Sequence, residues 1–191
     1  MNRTRTRTSW WMPRKRERPV AAATRTIASW DASVRLRVRA SLLWLAQQIT
    51  EARMAAEEAV EHPGTTGGRL AQVLDISLDP QLQTKGMPPG ARQFDAAVRD
   101  ARRIAEQLQS SSDRRARRAI ARLASGLAQA ERDLEYACSE VRGADLTGTD
   151  LTHLYLGGVC WDEATQWPEH WGDRVRSESD HVDGVYRVRD S

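Results

Sequence analysis

Four side chains of metal-ligand type lie close together near the C-terminus: His153, Cys160, Asp162 and His170. Zinc ligands usually pair at spacings of two to four residues, and only Cys160 and Asp162 meet that condition. The sequence has no glycine-rich phosphate loop and no GxSxG, HExxH or CxxC motif. No nucleophile can be paired with a base. We therefore predict a protein that is not an enzyme and that uses no metal, cofactor or small-molecule substrate.

A basic N-terminal segment is the second feature with chemical potential. Its seven cationic side chains are suited to neutralising nucleic-acid phosphates: Arg3, Arg5, Arg7, Arg14, Lys15, Arg16 and Arg18. Trp10 and Trp11 lie among them and are able to stack on bases or to sit at a membrane interface beside anionic lipid. A solvated tail without a ligand is the interpretation that we favour. The sequence leaves the other two open, with nucleic acid favoured over a membrane surface.

Charge is distributed unevenly along the 191 residues. Residues 1–20 carry a net charge of +6, whereas the remainder, with 22 basic and 25 acidic residues, carries −3. The pI near 9.2 is thus a property of the N-terminal segment. No apolar run is long enough for a membrane span or a signal-peptide core, and two cysteines do not make a disulfide framework. These observations predict a cytoplasmic protein.

The elements that must position these residues are predicted to be mainly α-helical. Residues 1–25 lack an apolar face and are predicted to be a disordered basic arm. Residues 26–62 are predicted to form one long helix, which ends where proline and glycine follow His62. Its segment 34–39 also alternates with a period of two, as a strand would, but we favour a helix. Residues 63–90, rich in glycine and proline, are predicted to be a connector.

Residues 91–142 have the clearest periodicity. Apolar side chains recur at three- and four-residue steps over 91–109 and again over 113–142, with the helix-capping Ser110-Ser111-Ser112-Asp113 between the two segments. This pattern predicts a helical hairpin with a coiled-coil-like seam. The predicted interaction seam consists of Ile120, Leu123, Leu127, Leu134 and Val141. The first arm is too short to cover all of it, so the 26–61 helix, the C-terminal segment or a second chain must do so.

After Val141 the period changes from seven residues to five. Four units begin at Ala144, Thr149, Leu154 and Val159, and their central residues are Leu146, Leu151, Leu156 and Trp161. This pattern, over about residues 139–168, resembles the pentapeptide-repeat family, whose units follow A(D/N)LXX. The resemblance implies a single turn of a right-handed, square β-helix with those four central side chains in the interior of the coil.

A single coil cannot bury its own ends, so it must pack against other apolar surfaces. Trp161, Trp167 and Trp171 are predicted to close it, which makes residues 143–191 either a C-terminal cap on the helices or an exposed, Trp-rich docking surface. We predict a non-catalytic interaction or scaffold protein that self-associates or docks a protein partner through the seam and the coil. The alternative is a nucleic-acid-binding accessory protein that uses the basic arm.

Overall fold

The computed structural model describes residues 18–62, 67–84, 86–108 and 114–190, and these are mainly helical, as predicted. The helices are α1 (Pro19–Ala28), α2 (Ala32–Arg37), α3 (Arg39–Glu61), α4 (Gly67–Val73), α5 (Ala91–Leu108), α6 (Arg114–Ser139) and α7 (Gly172–Ser177), with a 3₁₀ turn at Pro80–Gln83. The strands are β1 (Cys160–Trp161), β2 (Ser179–Val182) and β3 (Val185–Val188). Among the described helices, none is both long and apolar enough to cross a lipid bilayer.

Helix α1 corrects the predicted extent of the disordered arm. Residues 19–25 are helical, and the helix begins with Pro19 at the position where proline costs no backbone hydrogen bond. Val20 and Ala23 are buried, and the buried hydroxyl of Thr24 donates to the Asp133 carboxylate at 3.0 Å. This apolar run is too short to show a helical period by itself, and it folds because α6 covers it. The remaining basic-arm residues, Arg3, Arg5, Arg7, Arg14, Lys15 and Arg16, lie outside the described ranges.

The predicted long helix over 26–62 is wrong in its continuity. The helical chain is interrupted after Ala28, and α2 begins beyond Asp31, whose carboxylate accepts hydrogen bonds from the backbone N–H and the hydroxyl of Ser33 at 2.9 and 2.6 Å. The alternating segment 34–39 is helical and does not form a strand. Between these helices, Trp30 is buried and donates from Nε1 to the carbonyl of Pro89 at 2.8 Å, which fixes the end of the connector.

The two predicted hairpin arms are helices, but they do not form a hairpin core. Helix α6 packs mainly against α3 and α1, whereas α5 packs against α1 and α4 and contacts α6 only slightly. Burial gains scale with apolar area, and the alanine-rich stripe of α5 offers less area than Ile27, Leu42 and Leu45 of α1 and α3. The predicted turn at 110–113 lies outside the described residues.

The connector over 63–90 contributes to the core. Leu70 and Leu74, at the α4 end, are buried, as are Ile76, Leu78 and Leu82 farther along. Gly90, at its last residue, has φ +135°, and a Cβ atom there would lie only 3.0 Å from Ile27 Cγ1. A glycine is therefore required for the chain to pass this close to α1.

The predicted seam is mostly buried within the chain. Ile120, Leu127 and Leu134 are buried in the cluster that α1, α3, α4 and α5 complete. Leu123 is half-buried beside it, and Val141, beyond the end of α6, belongs to a second apolar cluster. Of the covers that the sequence allowed, α3 from the 26–61 segment covers most of the seam and the C-terminal segment covers Val141, while α1 adds a cover that was not predicted.

The second cluster contains the C-terminal segment. Leu146, Leu151, Leu156 and Trp161, which were predicted to line a coil, are all buried in this cluster. Isolated parallel bridges join Glu140 to Cys160 and Asp145 to Gln166, and the chain therefore returns beside residues that lie about twenty positions earlier. Over residues 140–166 these parallel contacts are isolated bridges, and the strand β1 pairs with β3 farther along the chain.

The ends of this cluster are covered from two sides. Ala32 and Leu36 of α2 pack on it from the helical bundle, and Val175 of α7 and Val188 of β3 pack on it from the C-terminus. The three strands form an antiparallel sheet in the order β1-β3-β2. The sheet register places Trp161 opposite Tyr186, and this pairing positions the site described next.

Candidate binding surfaces

Two buried arginines connect the helical bundle to the C-terminal segment. Arg39 donates from Nε to the Cys138 carbonyl at 2.7 Å, and from Nη1 and Nη2 to the carbonyls of Tyr155 and Gly157, both at 2.6 Å. The guanidinium thus satisfies a carbonyl at the end of α6, which has no helical partner, and two carbonyls of the C-terminal segment. Desolvation lowers the pKa of Arg39, but an arginine remains charged when buried in this way.

Arg35 has a related role one helical turn earlier. Its Nε donates to the Trp30 carbonyl at 2.9 Å, and its Nη1 donates to the carbonyls of Tyr136 and Ala137 at 3.3 and 3.0 Å. Burial lowers the pKa of this guanidinium as well. Both arginines are thus directed at the end of α6, whereas Arg37 between them is exposed.

Aspartate side chains shape the turns of the pentad segment. Asp145 accepts from the backbone N–H and hydroxyl of Thr147 at 3.0 and 2.7 Å, and Asp150 accepts in the same way from Thr152 at 3.0 and 2.6 Å. These hydrogen bonds lower the pKa of both carboxyls. In each Asp-Leu-Thr, the aspartate therefore caps a turn that contains the buried leucine.

A cleft of about 400 Å³ opens on the outer side of this segment. Trp161 and Trp167 meet there edge to face, with ring centroids 5.8 Å apart. Tyr186 stacks on the other side of Trp161 at 4.1 Å, and Arg176 lies over the rings of Trp161 and Tyr186 at 5.5 and 5.1 Å. The cleft thus has rigid aromatic walls.

Glu163 is held in a fixed position at the edge of the cleft. Arg176 donates to its two carboxylate oxygens at 3.0 and 2.8 Å, and the Tyr186 hydroxyl donates to it at 2.6 Å. The arginine, followed by the hydroxyl, lowers the pKa of Glu163 to about 2. The same carboxylate raises the pKa of Arg176. Both groups remain ionised and neutralise each other under ordinary conditions.

This pairing predicts a pH dependence that Glu163→Gln should remove. Because the pKa is lower in the folded chain than the ordinary 4.5, the pairing stabilises the fold above pH 4.5 and is lost as the pH falls toward 2. We expect the melting temperature of the wild type to exceed that of Glu163→Gln above pH 4.5, and the two to converge near pH 2. Calorimetric scans from about pH 6 to about pH 1.5 measure this. A constant difference across that range would contradict the assigned pairing.

The remaining lining of the cleft carries an unsatisfied donor and a negative charge. Trp167 Nε1 is buried, yet it has no acceptor within hydrogen-bond distance in the described part of the chain. Since Glu163 and Arg176 cancel, Asp173 leaves the lining with one net negative charge when His170 is neutral. His170 has φ +68°, a left-handed backbone that turns the chain at the rim. The cleft therefore presents an acidic group on aromatic walls, and one of these walls is an indole whose buried N–H has no acceptor among the described residues.

The side chains singled out for metal binding do not form a site among the described residues. No three His, Cys, Asp or Glu side chains converge there, and Asp162 instead accepts hydrogen bonds from the backbone N–H groups of Gly143 and Ala164 at 2.9 and 3.1 Å. Cys138 is buried in the bundle, where desolvation raises its pKa to about 11. A thiol in that state is neutral at pH 7 and is a poor nucleophile.

Sequence reasoning identified part of this arrangement and missed the rest. It singled out Trp161 and Trp167, and the cleft brings them together. It did not single out Arg39, Arg176 or Tyr186, which are distant from their partners along the chain. The one local signal was the four-residue spacing of Arg35 and Arg39, which places both on the same side of a helix.

Fold and surfaces together define a mainly α-helical protein with a small antiparallel sheet and a C-terminal cleft. No family model, no curated protein and no solved structure matches this chain.

Proposed function

We propose that this chain is a non-catalytic protein-binding protein that docks an extended peptide segment of a partner in the C-terminal cleft. The observation that carries the proposal is the buried Trp167 Nε1 without an acceptor among the described residues. Buried donors are nearly always satisfied in proteins, and a peptide carbonyl is the commonest acceptor that a partner offers. Indole walls suit an extended or polyproline segment, and Asp173 favours a basic residue in it.

The proposal extends to the scaffold that holds the cleft. We infer that residues 140–166 form one coil of pentapeptide-repeat type, supported by the inward row Leu146, Leu151 and Leu156 and by bridges that span about twenty residues. Four five-residue units make one circuit in that family, which agrees with the spacing. The helical bundle covers one end of the coil, where Ala32 and Leu36 pack against it.

Of the two forms of association predicted from the sequence, docking is the one that the geometry favours. Self-association through the seam would require Ile120, Leu127 and Leu134 to leave their present contacts with α1 and α3. Removing such side chains from a core costs about 2 kcal/mol or more each. The seam therefore stabilises the folded chain, and we assign docking to the C-terminal cleft.

Selection from a library of random displayed peptides on the full-length protein tests this function. We expect the wild type to enrich extended peptides with a basic residue. Trp167→Phe keeps an aromatic ring at this position but removes the N–H donor, and it should bind the enriched peptides at least about tenfold more weakly. Asp173→Asn should weaken the basic peptides selectively.

Trp44→Phe is the matched control, because Trp44 is an exposed indole on α3, away from the cleft. It should bind the selected peptides as the wild type does. Enrichment that is equal for the wild type and Trp167→Phe, or no enrichment at all, would contradict the proposal.

The basic arm remains a second candidate, as a nucleic-acid-binding element. One observation favours it: Arg18, its one described member, is exposed and lies against α6, where its Nη1 donates to the Ser125 carbonyl at 3.2 Å. The arm thus joins the fold beside α6. Substitution of Arg3, Arg5 and Arg7 by glutamine should reduce salt-sensitive retention on nucleic acid if this function holds.

A further inference from the structure

The first half of α6 carries an arginine face. Five of its first nine residues are arginines, none is acidic, and all five arginines are exposed: Arg114, Arg115, Arg117, Arg118 and Arg122. At 3.6 residues per turn, Arg114, Arg118 and Arg122 form a row on the side opposite the buried Ala116 and Ile120. Successive members of that row are about 6 Å apart along the helix axis.

These charges are not neutralised within the described part of the chain. None of the five arginines forms an ion pair with any residue there, although eleven other arginine–carboxylate pairs occur. By contrast, Arg99, Arg102 and Arg103 of α5 each pair with a nearby carboxylate. Positive charge in the first turns of a helix also opposes the helix dipole. An external anion would relieve both the mutual repulsion and the unfavourable dipole interaction.

Arg18 extends the row by one more turn. The next position in the series is Gly126, and the stem of Arg18 occupies the space where a side chain would project, with its Cβ 3.4 Å from the position of a Cβ on Gly126. Arg18, which immediately precedes α1, therefore packs on α6 at the position that follows Arg122 in the series, at ordinary van der Waals distance. Residues distant in sequence thus contribute to one basic row.

We propose that the row Arg114, Arg118, Arg122 and Arg18 binds the phosphate backbone of duplex DNA. The site is separate from the C-terminal cleft and does not depend on the peptide-docking function. Arginine forks bind phosphate in a bidentate manner, and a row of them along an exposed helix follows a phosphate backbone or enters a major groove, which is wide enough for a helix.

The surroundings of the row favour a duplex over single strands and membranes. Single-stranded nucleic acid is bound by aromatic side chains that stack on bases, and the exposed face of residues 114–122 carries none. A membrane-surface helix inserts its apolar side into the lipid, but here Ala116 and Ile120 are already buried in the bundle. A contact made of phosphates alone fits the row best.

Fluorescence anisotropy with the full-length chain and a labelled DNA duplex, from about 50 to about 200 mM salt, tests the proposal. We expect wild-type binding to weaken with salt. In the triple variant Arg114→Gln, Arg118→Gln, Arg122→Gln, the log–log salt slope should be shallower by roughly 2.7, at about 0.9 per lost phosphate contact. Arg18→Gln should make it shallower by about 0.9. Arginine-to-lysine variants of the row keep the charge and should keep the salt slope, but they should bind more weakly because an ammonium does not reproduce the bidentate fork.

The control triple variant Arg92→Gln, Arg99→Gln, Arg103→Gln removes the same charge from α5 and should leave the slope near that of the wild type. The arm variant Arg3→Gln, Arg5→Gln, Arg7→Gln separates binding by the arm from binding by the row. Equal losses in the α6 and α5 triples would overturn the proposal, because general charge would then account for binding. The proposal would also be overturned, in favour of a membrane, if the protein bound phosphatidylserine vesicles through the α6 arginines but did not bind the duplex.

Discussion

Replacing Arg39 with methionine should lower the free energy of unfolding by about 3 to 5 kcal/mol. Arg39 is only 6% exposed and donates to the carbonyls of Cys138, Tyr155 and Gly157. Methionine keeps an apolar stem but removes the guanidinium, which leaves buried carbonyls without donors on both sides of the junction. Urea unfolding followed by tryptophan fluorescence measures the loss.

Arg37→Met is the matched control, since Arg37 lies two residues earlier and is exposed. Its free energy of unfolding should stay within about 0.5 kcal/mol of the wild type. Arg39→Lys should recover only part of the loss, because a single ammonium does not reproduce the planar fork that reaches three carbonyls. If Arg39→Met unfolded at the same urea concentration as Arg37→Met, the connecting role of Arg39 would be refuted.

Trp161→Ala should also destabilise the chain strongly, by about 3 to 5 kcal/mol. The indole is 2% exposed, stacks on Tyr186 and meets Trp167 edge to face, and its Nε1 donates to the Ser179 hydroxyl at 3.0 Å. Alanine leaves a cavity in the second apolar cluster and also removes one wall of the cleft. Thermal unfolding and near-ultraviolet circular dichroism should both register the loss.

Trp44→Ala removes the same side chain from a position that is 43% exposed on α3. We expect a cost below about 1 kcal/mol there, since much less apolar area is withdrawn from water. The comparison holds the residue type constant and changes only the burial. If Trp161→Ala lowered the free energy of unfolding as little as Trp44→Ala, the C-terminal segment would contribute little to the stability of the folded chain.

Periodicity was a sound guide wherever a pattern was long. The heptad stripe of 113–142 predicted a helix, and α6 covers Arg114–Ser139 with Ile120, Leu127 and Leu134 buried. The five-residue period predicted inward side chains at Leu146 and Leu151, and both are buried. Such patterns are reliable because each buried position repeats the same local constraint.

Short and non-repeating signals were less informative. Residues 19–25 were assigned to the disordered arm because their apolar run is brief, and the interruption between Ala28 and Ala32 was not recognised in the helical window. Both depend on contacts with distant residues, such as Thr24 with Asp133 and Trp30 with Pro89. A single sequence does not reveal such contacts, because they involve no local period.

By itself, the sequence determined the helical class and the stripe on α6, since each follows from a spacing between neighbouring residues. Only the tertiary structure decided which helices cover α6, that Arg39 connects the bundle to the C-terminal segment, and that Arg18 lies over Gly126. Apolar side chains are satisfied by any partner that buries enough area, so a stripe does not specify its cover. Hydrogen bonds across a hundred residues of chain depend on where the folded backbone places each carbonyl, and this is fixed only when the whole core has packed.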